Sequence, residues 1–364
     1  MKAAVTSEVG APFVVEDVEI DDPLDFEVLV DVEASGLCHS DVVVQQGGVK
    51  LPMPIVLGHE AAGTVKAIGA QVSDLAVGDR VVATLLAGCG HCDRCYLGRP
   101  YECPDQAAAE RPPGNRPRLS WRGHPLTQFW RVSGFAEQIL VHRSQLVKIS
   151  KEVPADRACL LGCGVITGMG AVVNTARVQF GESVAVFGTG GVGLNAVQGA
   201  ALAGAHRIIA VDPRPDMRKM ARKFGATHTI DPAEADPVAS IRDLTAGAGV
   251  QHAFEVAGLP LTARQALQCL SKGGTAYYLG MQPAGHELPV DIGADLLRSQ
   301  AGMRGVYMGS TKPHHDIALY ADLYLQGRLN LDDLVSSRIT LNDINQGYAT
   351  AHEKGAVRTV ITFD

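Results

Sequence analysis

Val184-Ala185-Val186-Phe187-Gly188-Thr189-Gly190-Gly191-Val192-Gly193 is the stretch on which the fold turns. Its first four residues read as a buried strand, and an Ala-rich helical stretch follows the glycines as far as Gly204. The next strand, Arg207-Ile208-Ile209-Ala210-Val211, ends on Asp212. A bare Gly188-x-Gly190-x-x-Gly193 spacing would mean little in a chain with 40 glycines. Between a strand and a helix, with an acid closing the following strand, it is a dinucleotide fingerprint. The glycines permit a tight turn, close approach of a pyrophosphate, and packing of helix on strand. The phosphates would then meet unpaired amides at a helix N-terminus. Asp212 would accept from the ribose hydroxyls and repel a 2′-phosphate, favouring NAD over NADP. Arg214, two residues on, could soften that repulsion but reads better as an exposed residue near the adenine. A plain Gly-rich turn is the competing reading.

Outward from this stretch, strands and helices alternate. Short runs at His228-Thr229-Ile230, 251–256, 275–279 and 303–307 are separated by helical segments, the pattern of a doubly wound parallel sheet. The first 160 or so residues are instead strand-rich and broken by turns, as at 28–32, 60–65 and 78–82. Residues 104–133 are rich in Pro, Arg and Gly and read as a long irregular excursion, a length of loop with a functional or interface role. The final strands, Arg338-Ile339-Thr340 and 358–363, return to the first domain. The expected division is a catalytic domain over 1–164, a nucleotide domain over 165–307, and a return segment over 308–364.

With 364 residues, two domains are the natural expectation. A net charge of −7 argues against a nucleic-acid partner. No apolar signal core opens the chain, and no stretch approaches the roughly 18 apolar residues of a membrane span. Clustered cysteines without an export signal point to reduced thiols and a cytoplasmic location.

Half of the eight cysteines fall between Cys89 and Cys103, as Cys89-x2-Cys92-x2-Cys95-x7-Cys103. Four thiolates on one short loop make a closed tetrahedral set for a structural zinc, whereas disulfides or buried thiols do not account for the clustering. Gly36-Leu37-Cys38-His39-Ser40-Asp41, Gly58-His59-Glu60 and Gly162-Cys163-Gly164 hold further candidates. Cys38, His59 and Cys163 would give a catalytic zinc three ligands and leave a fourth position open. Each taken singly is equally well a packed core residue.

These segments, in this order, resemble the zinc-dependent medium-chain alcohol dehydrogenases along nearly the whole chain. Length and the excursion at 104–133 look most like the branch of the liver-type and glutathione-dependent formaldehyde dehydrogenases. The resemblance implies an α/β architecture of a GroES-like β-rich catalytic domain plus a Rossmann sheet, with NAD and two zinc ions per chain. It makes Cys38, His59 and Cys163 ligands of the catalytic zinc, and Cys89, Cys92, Cys95 and Cys103 ligands of the structural one. Asp41 is then the carboxylate orienting the zinc-bound histidine, and Glu60 the acid beside the metal. Ser40 accepts the alcohol proton, and Thr167 and Val192 border the nicotinamide. Gly188, Gly190, Gly191 and Gly193 hold the phosphates, and Arg358 reaches them. Cys159 and Cys269 are left without a role, as small buried residues.

Three departures from the family pattern stand out. Val43 replaces a histidine that passes the proton onward, so the relay must end differently. His39 replaces an arginine that pairs with the pyrophosphate. Pro104-Asp105-Gln106-Ala107 follows Cys103 where the glutathione-dependent branch places an arginine for the adduct's carboxylate. Leu85 and Met281 are expected in the substrate pocket, suiting medium-sized apolar alcohols of aryl or terpenoid type and their aldehydes or ketones. The run from 290 to 310 is expected to form a sheet edge that pairs across a two-fold axis, giving a homodimer, with a tetramer as the other possibility. Two other functions compete: a nicotinoprotein that recycles tightly held NAD, and a catalytically silent binder of zinc and nucleotide.

Overall fold

The run Ser183–Phe187 is an inner strand of a six-stranded, wholly parallel sheet. Its spatial order is His228–Ile230, Arg207–Val211, Ser183–Phe187, Val250–Glu255, Leu270–Tyr278, Gly302–Gly305. This is the doubly wound order, with a topological switch beside the first strand, where ligands of such sheets bind. All five residues of Ser183–Phe187 are buried, as a strand covered by helices on both faces must be. Three of the helices, Pro215–Lys223, Pro237–Leu244 and Pro260–Gln268, open on a proline, whose missing N–H costs nothing in the first turn. Phe187, Ile209, Ile241, Val250 and Leu267 belong to the core of this unit. The computed structural model describes residues 1–282, 285–350 and 356–363.

The chain divides into two compact units, Met1–Gly164 with Thr311–Asp364, and Val165–Ser310. The second junction falls three residues beyond the expected 307, because Met308–Ser310 still belongs to the nucleotide unit. There the Thr175 hydroxyl donates to Ser310 Oγ at 2.8 Å, and a side chain on Gly309 would collide with the Ile166 carbonyl.

The first unit is built on Glu27–Gly36, a ten-residue strand inside a seven-stranded sheet. It pairs with Glu60–Ile68 and Gln138–His142, and, through Val360 opposite Gly36, with Arg358–Thr362. Val28, Val30 and Val32 alternate along it and pack on Val65, Val81 and Ile139. The C-terminal strands Val335–Ile339 and Arg358–Thr362 thus complete a sheet begun more than three hundred residues earlier.

The excursion is more ordered than expected. It carries the short strands Leu119–Trp121, His124–Pro125 and Thr127–Gln128. Two arginines pin it to the start of the long strand: Arg111 and Arg118 both donate to Glu27 Oε1, at 2.9 and 2.6 Å. All three side chains are buried, an arrangement that holds only because every charge is paired.

Candidate active site

The long strand ends at Gly36, and Cys38 then caps the short helix His39–Gln45. That turn places Asp41 back under Cys38. Asp41 is fully buried and serves three donors: Cys38 N at 3.2 Å, Gly58 N at 3.0 Å, and His59 Nδ1 at 3.1 Å. One carboxylate therefore joins two segments seventeen or more residues apart. A neutral His59 donating Nδ1–H to Asp41 presents the Nε2 lone pair to whatever it ligates. Gly58, at φ 89°, is the residue that lets the chain turn here. A side chain on it would meet the ring of Phe135.

Ligand atoms of Cys38, His59, Glu60 and Cys163 all lie within 4.8 Å of one another, and Asp41 stands behind His59. Ser40 Oγ donates to Cys38 Sγ at 3.1 Å and lies 3.4 Å from His59 Nε2. The thiol–thiol hydrogen bond holds the Cys38 pKa well down and the Cys163 pKa well up, so the pair readily gives up one proton. Burial disfavours a charged His59, yet Asp41 and the Cys38 thiolate outweigh it and raise its pKa. Such a pocket favours positive charge. Two sulfurs, one imidazole and an adjoining acid are a donor set suited to zinc.

Glu60 is fully buried. Its Oε1 accepts from Gly164 N at 3.2 Å and faces Arg358 Nη2 at 3.4 Å, while its Oε2 has no partner among the described residues. Burial pushes the Glu60 carboxyl up to about 7, against the pull of Arg358. Arg358 also donates to the Leu37 carbonyl at 3.1 Å, so this buried guanidinium is tied to the metal pocket itself. Exchanging Asp41 for asparagine should weaken zinc binding at this centre about 10- to 100-fold in a chelator competition, because the histidine loses its anionic partner.

Two aromatic residues complete the surroundings of His59, and neither was expected from the sequence. Phe129 and Trp130 meet its ring edge-on, at 5.5 and 4.9 Å, and stack on each other at 4.1 Å. Trp130 has φ 45°, and Arg131 and Ser133 are also left-handed, a conformation costly for such residues. Buried Ser133 holds the turn by accepting from Phe129 N at 2.9 Å and donating to the Val56 carbonyl at 2.7 Å. Gln145 secures it from the other side with a bond to the Trp130 carbonyl at 3.1 Å.

The second cysteine group is equally close. The sulfurs of Cys89, Cys92, Cys95 and Cys103 lie within 4.8 Å of one another, and all are free thiols. Cys89 and Cys95 are 4.0 Å apart and Cys92 and Cys103 3.8 Å. Disulfide sulfurs stand at about 2.05 Å. Four sulfurs at about 2.3 Å from a central zinc would stand about 3.8 Å from each other. The loop has the metal spacing.

In the nucleotide unit, Gly188 takes φ 89°, and a side chain on Gly193 would strike the Gly188 carbonyl. Gly190 caps the helix Gly191–Leu202, whose first turn carries no acid and no side-chain cap, and nothing stands within 4 Å of where a side chain on Gly190 would be. The fit is that of a phosphate turn. Gly168 backs onto the Val192 carbonyl, and the hydroxyl of the neighbouring Thr167 donates to Met308 Sδ at 3.7 Å. Leu85 is buried after the strand Arg80–Ala83, Met281 is 45% exposed, and His39 lies on the surface.

Comparison with known proteins agrees with this geometry. The family description "Alcohol dehydrogenase GroES-like domain" matches residues 25–151, and "Zinc-binding dehydrogenase" matches 191–326. A geraniol dehydrogenase of Castellaniella defragrans is 36% identical, over 100% of this chain and 97% of its own. An S-(hydroxymethyl)glutathione dehydrogenase of Synechocystis is also 36% identical, over 100% and 99%. The crystal structure of benzyl alcohol dehydrogenase from Acinetobacter calcoaceticus superposes with a TM-score of 0.93 at 34% identity, covering 100% of this chain and 99% of that one. The architecture is thus that of a GroES-like domain joined to a Rossmann sheet. The chain belongs to the zinc-dependent medium-chain alcohol dehydrogenases, on their formaldehyde dehydrogenase-like branch, and is an oxidoreductase acting on CH–OH groups.

Proposed function

We propose that this alcohol dehydrogenase interconverts medium-sized apolar alcohols, aryl or terpenoid, with their aldehydes or ketones, using exchangeable NAD and two zinc ions per chain. The observation that carries the substrate class is the half-buried Trp130 ring, stacked on the buried Phe129 and set edge-on against His59. When bound, zinc supplies a Lewis acid for the alcohol oxygen and NAD supplies the hydride acceptor. Cys38, His59 and Cys163 would hold the catalytic ion and Cys89, Cys92, Cys95 and Cys103 the structural one. Asp41 keeps His59 aimed. Ser40 Oγ, within reach of Cys38 and His59, would take the alcohol proton; Val43 offers no acceptor, so the proton would leave by water or by another group. Thr167 and Val192 would border the nicotinamide, and Asp212 the adenosine ribose.

A glutathione adduct fits poorly. Gln106, close behind Cys103, spends its amide on the Cys103 carbonyl at 3.2 Å and the Ala87 amide at 3.3 Å, and no cation follows for a carboxylate. The exposed Ile292, Leu297, Met303 and Tyr307 lie on and around the edge strand Gly302–Gly305, which supports pairing of two chains along that edge. Sedimentation of a monomer at micromolar concentration would refute the dimer. Among the described residues no single helix is long and apolar enough to cross a membrane, and a cytoplasmic location remains part of the proposal.

The direct test uses protein purified without added cofactor. About two zincs per chain, little NAD in the denatured supernatant, and benzyl or terpenoid alcohol turnover with free NAD would support the proposal. Retained stoichiometric NAD would make the chain a nicotinoprotein instead. Trp130→Ala should lower kcat/KM for benzyl alcohol about 10- to 100-fold, by removing an apolar face. The same change should leave ethanol within about threefold, and Trp130→Phe should recover most of the loss.

A further inference from the structure

We propose that Thr189 and Asp216 set this chain's choice between NAD and NADP, Thr189 by locking the Asp212 carboxylate and Asp216 by holding the Arg214 guanidinium off it. The proposal rests on Asp212 being the ribose acceptor. Residue 189 stands between the first two glycines of the phosphate turn, where the backbone makes the turn and the side chain is not called upon. Here that side chain is fully buried. Its amide and its hydroxyl both donate to Asp212 Oδ2, at 2.8 and 2.9 Å. The Arg214 amide donates to Oδ1 at 2.9 Å. Three donors from two loops therefore hold one carboxylate at a single rotamer. Two carboxylate oxygens offer about four lone-pair sites, so acceptor capacity remains for a ribose hydroxyl. Hydrogen bonds to an ionised acceptor are roughly twice as strong as neutral ones, so the Thr189 hydroxyl is a substantial part of that hold.

The cations nearby are committed elsewhere. An arginine close to the acid at this strand end is the usual means of receiving a 2′-phosphate. Arg214 instead directs Nη2 at Asp216 Oδ2, 2.6 Å away, in the first turn of the helix that Arg214 caps. Arg218 pairs with Asp231 at 2.7 Å and donates to the Asp212 and Pro213 carbonyls, both at 2.8 Å. Both guanidinium groups are thus paired with carboxylates other than Asp212, so neither is directed at the place where a 2′-phosphate would lie. Removing the charge of Asp216 weakens the hold on Arg214 and so favours its turning toward a phosphate. Removing the Thr189 hydroxyl leaves the carboxylate less well aimed at a diol.

The experiment is calorimetric titration of NAD and of NADP into zinc-loaded full-length protein, for the wild type, Thr189→Val, Thr189→Ser and Asp216→Asn. Zinc content and Tm are recorded for each. Thr189→Val should weaken NAD about tenfold, the effect of one hydrogen bond to a charged group. It should leave NADP within about twofold, and Thr189→Ser should restore NAD. Asp216→Asn should leave NAD within about twofold and tighten NADP about tenfold, the effect of one released phosphate contact. A merely structural role would weaken both nucleotides together and lower Tm. An unchanged ratio of the two dissociation constants in both variants, or equal losses of both nucleotides, overturns the proposal. A shift in one variant alone confines it to that residue. Should Thr189→Val fail to fold, Asp216→Asn, on the first turn of a surface helix, still decides. A wild type that binds NADP as tightly as NAD sinks the assignment of Asp212 instead, which is a separate result.

Discussion

Replacing Cys38 by alanine is expected to lower the zinc content by one ion per chain and to remove alcohol oxidation almost entirely. A Lewis acid at the reacting oxygen is worth several kcal/mol of barrier, so the loss should be roughly a thousandfold or more. The fold should survive. Cys38 caps a seven-residue helix through its backbone position, and Asp41 would still accept from the residue 38 amide, from Gly58 N and from His59 Nδ1. NAD affinity should change little, because the phosphate turn and Asp212 lie in the other unit. Metal analysis beside a thermal melt and a nucleotide titration separates these outcomes. Full zinc content with retained activity would mean that the four-residue group around His59 is not the reacting centre.

Removing Cys103 should have the opposite signature, with stability lost first and chemistry only as a consequence. Cys103 is the one buried member of its group, and Cys89 N as well as the Cys92 thiol point to its sulfur. The loop around it has little apolar core of its own, and Tyr96 and Leu97 are exposed at 74% and 67%. Metal binding is then most of what orders it, and structural zinc sites contribute many kcal/mol to folding. Cys103→Ser should lose one zinc and melt about 10 °C or more lower, taking several kcal/mol of destabilisation in a chain of this size. It should be cleaved by protease first between about residues 87 and 106. A variant that keeps its melting point and resists cleavage there would show that side-chain packing, not metal, holds the lobe.

How much of this was legible beforehand depended on how local each device is. The glycine turn with Asp212, and the four clustered cysteines, are written within short spans whose spacing carries the chemistry, so they could be read directly. Cys38, His59 and Cys163 sit on three separate segments; only their order along the chain, matched to a family, suggested them. Asp41 behind His59 was available by the same route. Trp130 was not, because its position depends on a left-handed turn that exists only through the bonds of Ser133 and Gln145 to distant backbone. Nor was the clamp of Arg111 and Arg118 on Glu27, since charged residues 84 and 91 positions from their partner read as ordinary surface. Strands of two residues, such as His124–Pro125, have no periodicity to detect, which is why the excursion looked irregular.

The strand Arg358–Thr362 closing on Gly36 also orders events during synthesis. Residues 165–310 form a continuous unit that can fold while the rest of the chain is still being made, whereas the catalytic unit is discontinuous. The end of its central strand, Ala34 to Gly36, lacks that neighbour until residues 358–362 have been made. Glu60 waits with it, buried beside the metal ligands and without its arginine. Cys38, His59 and Cys163 are thus all synthesised well before Arg358, the residue that faces Glu60 beside them.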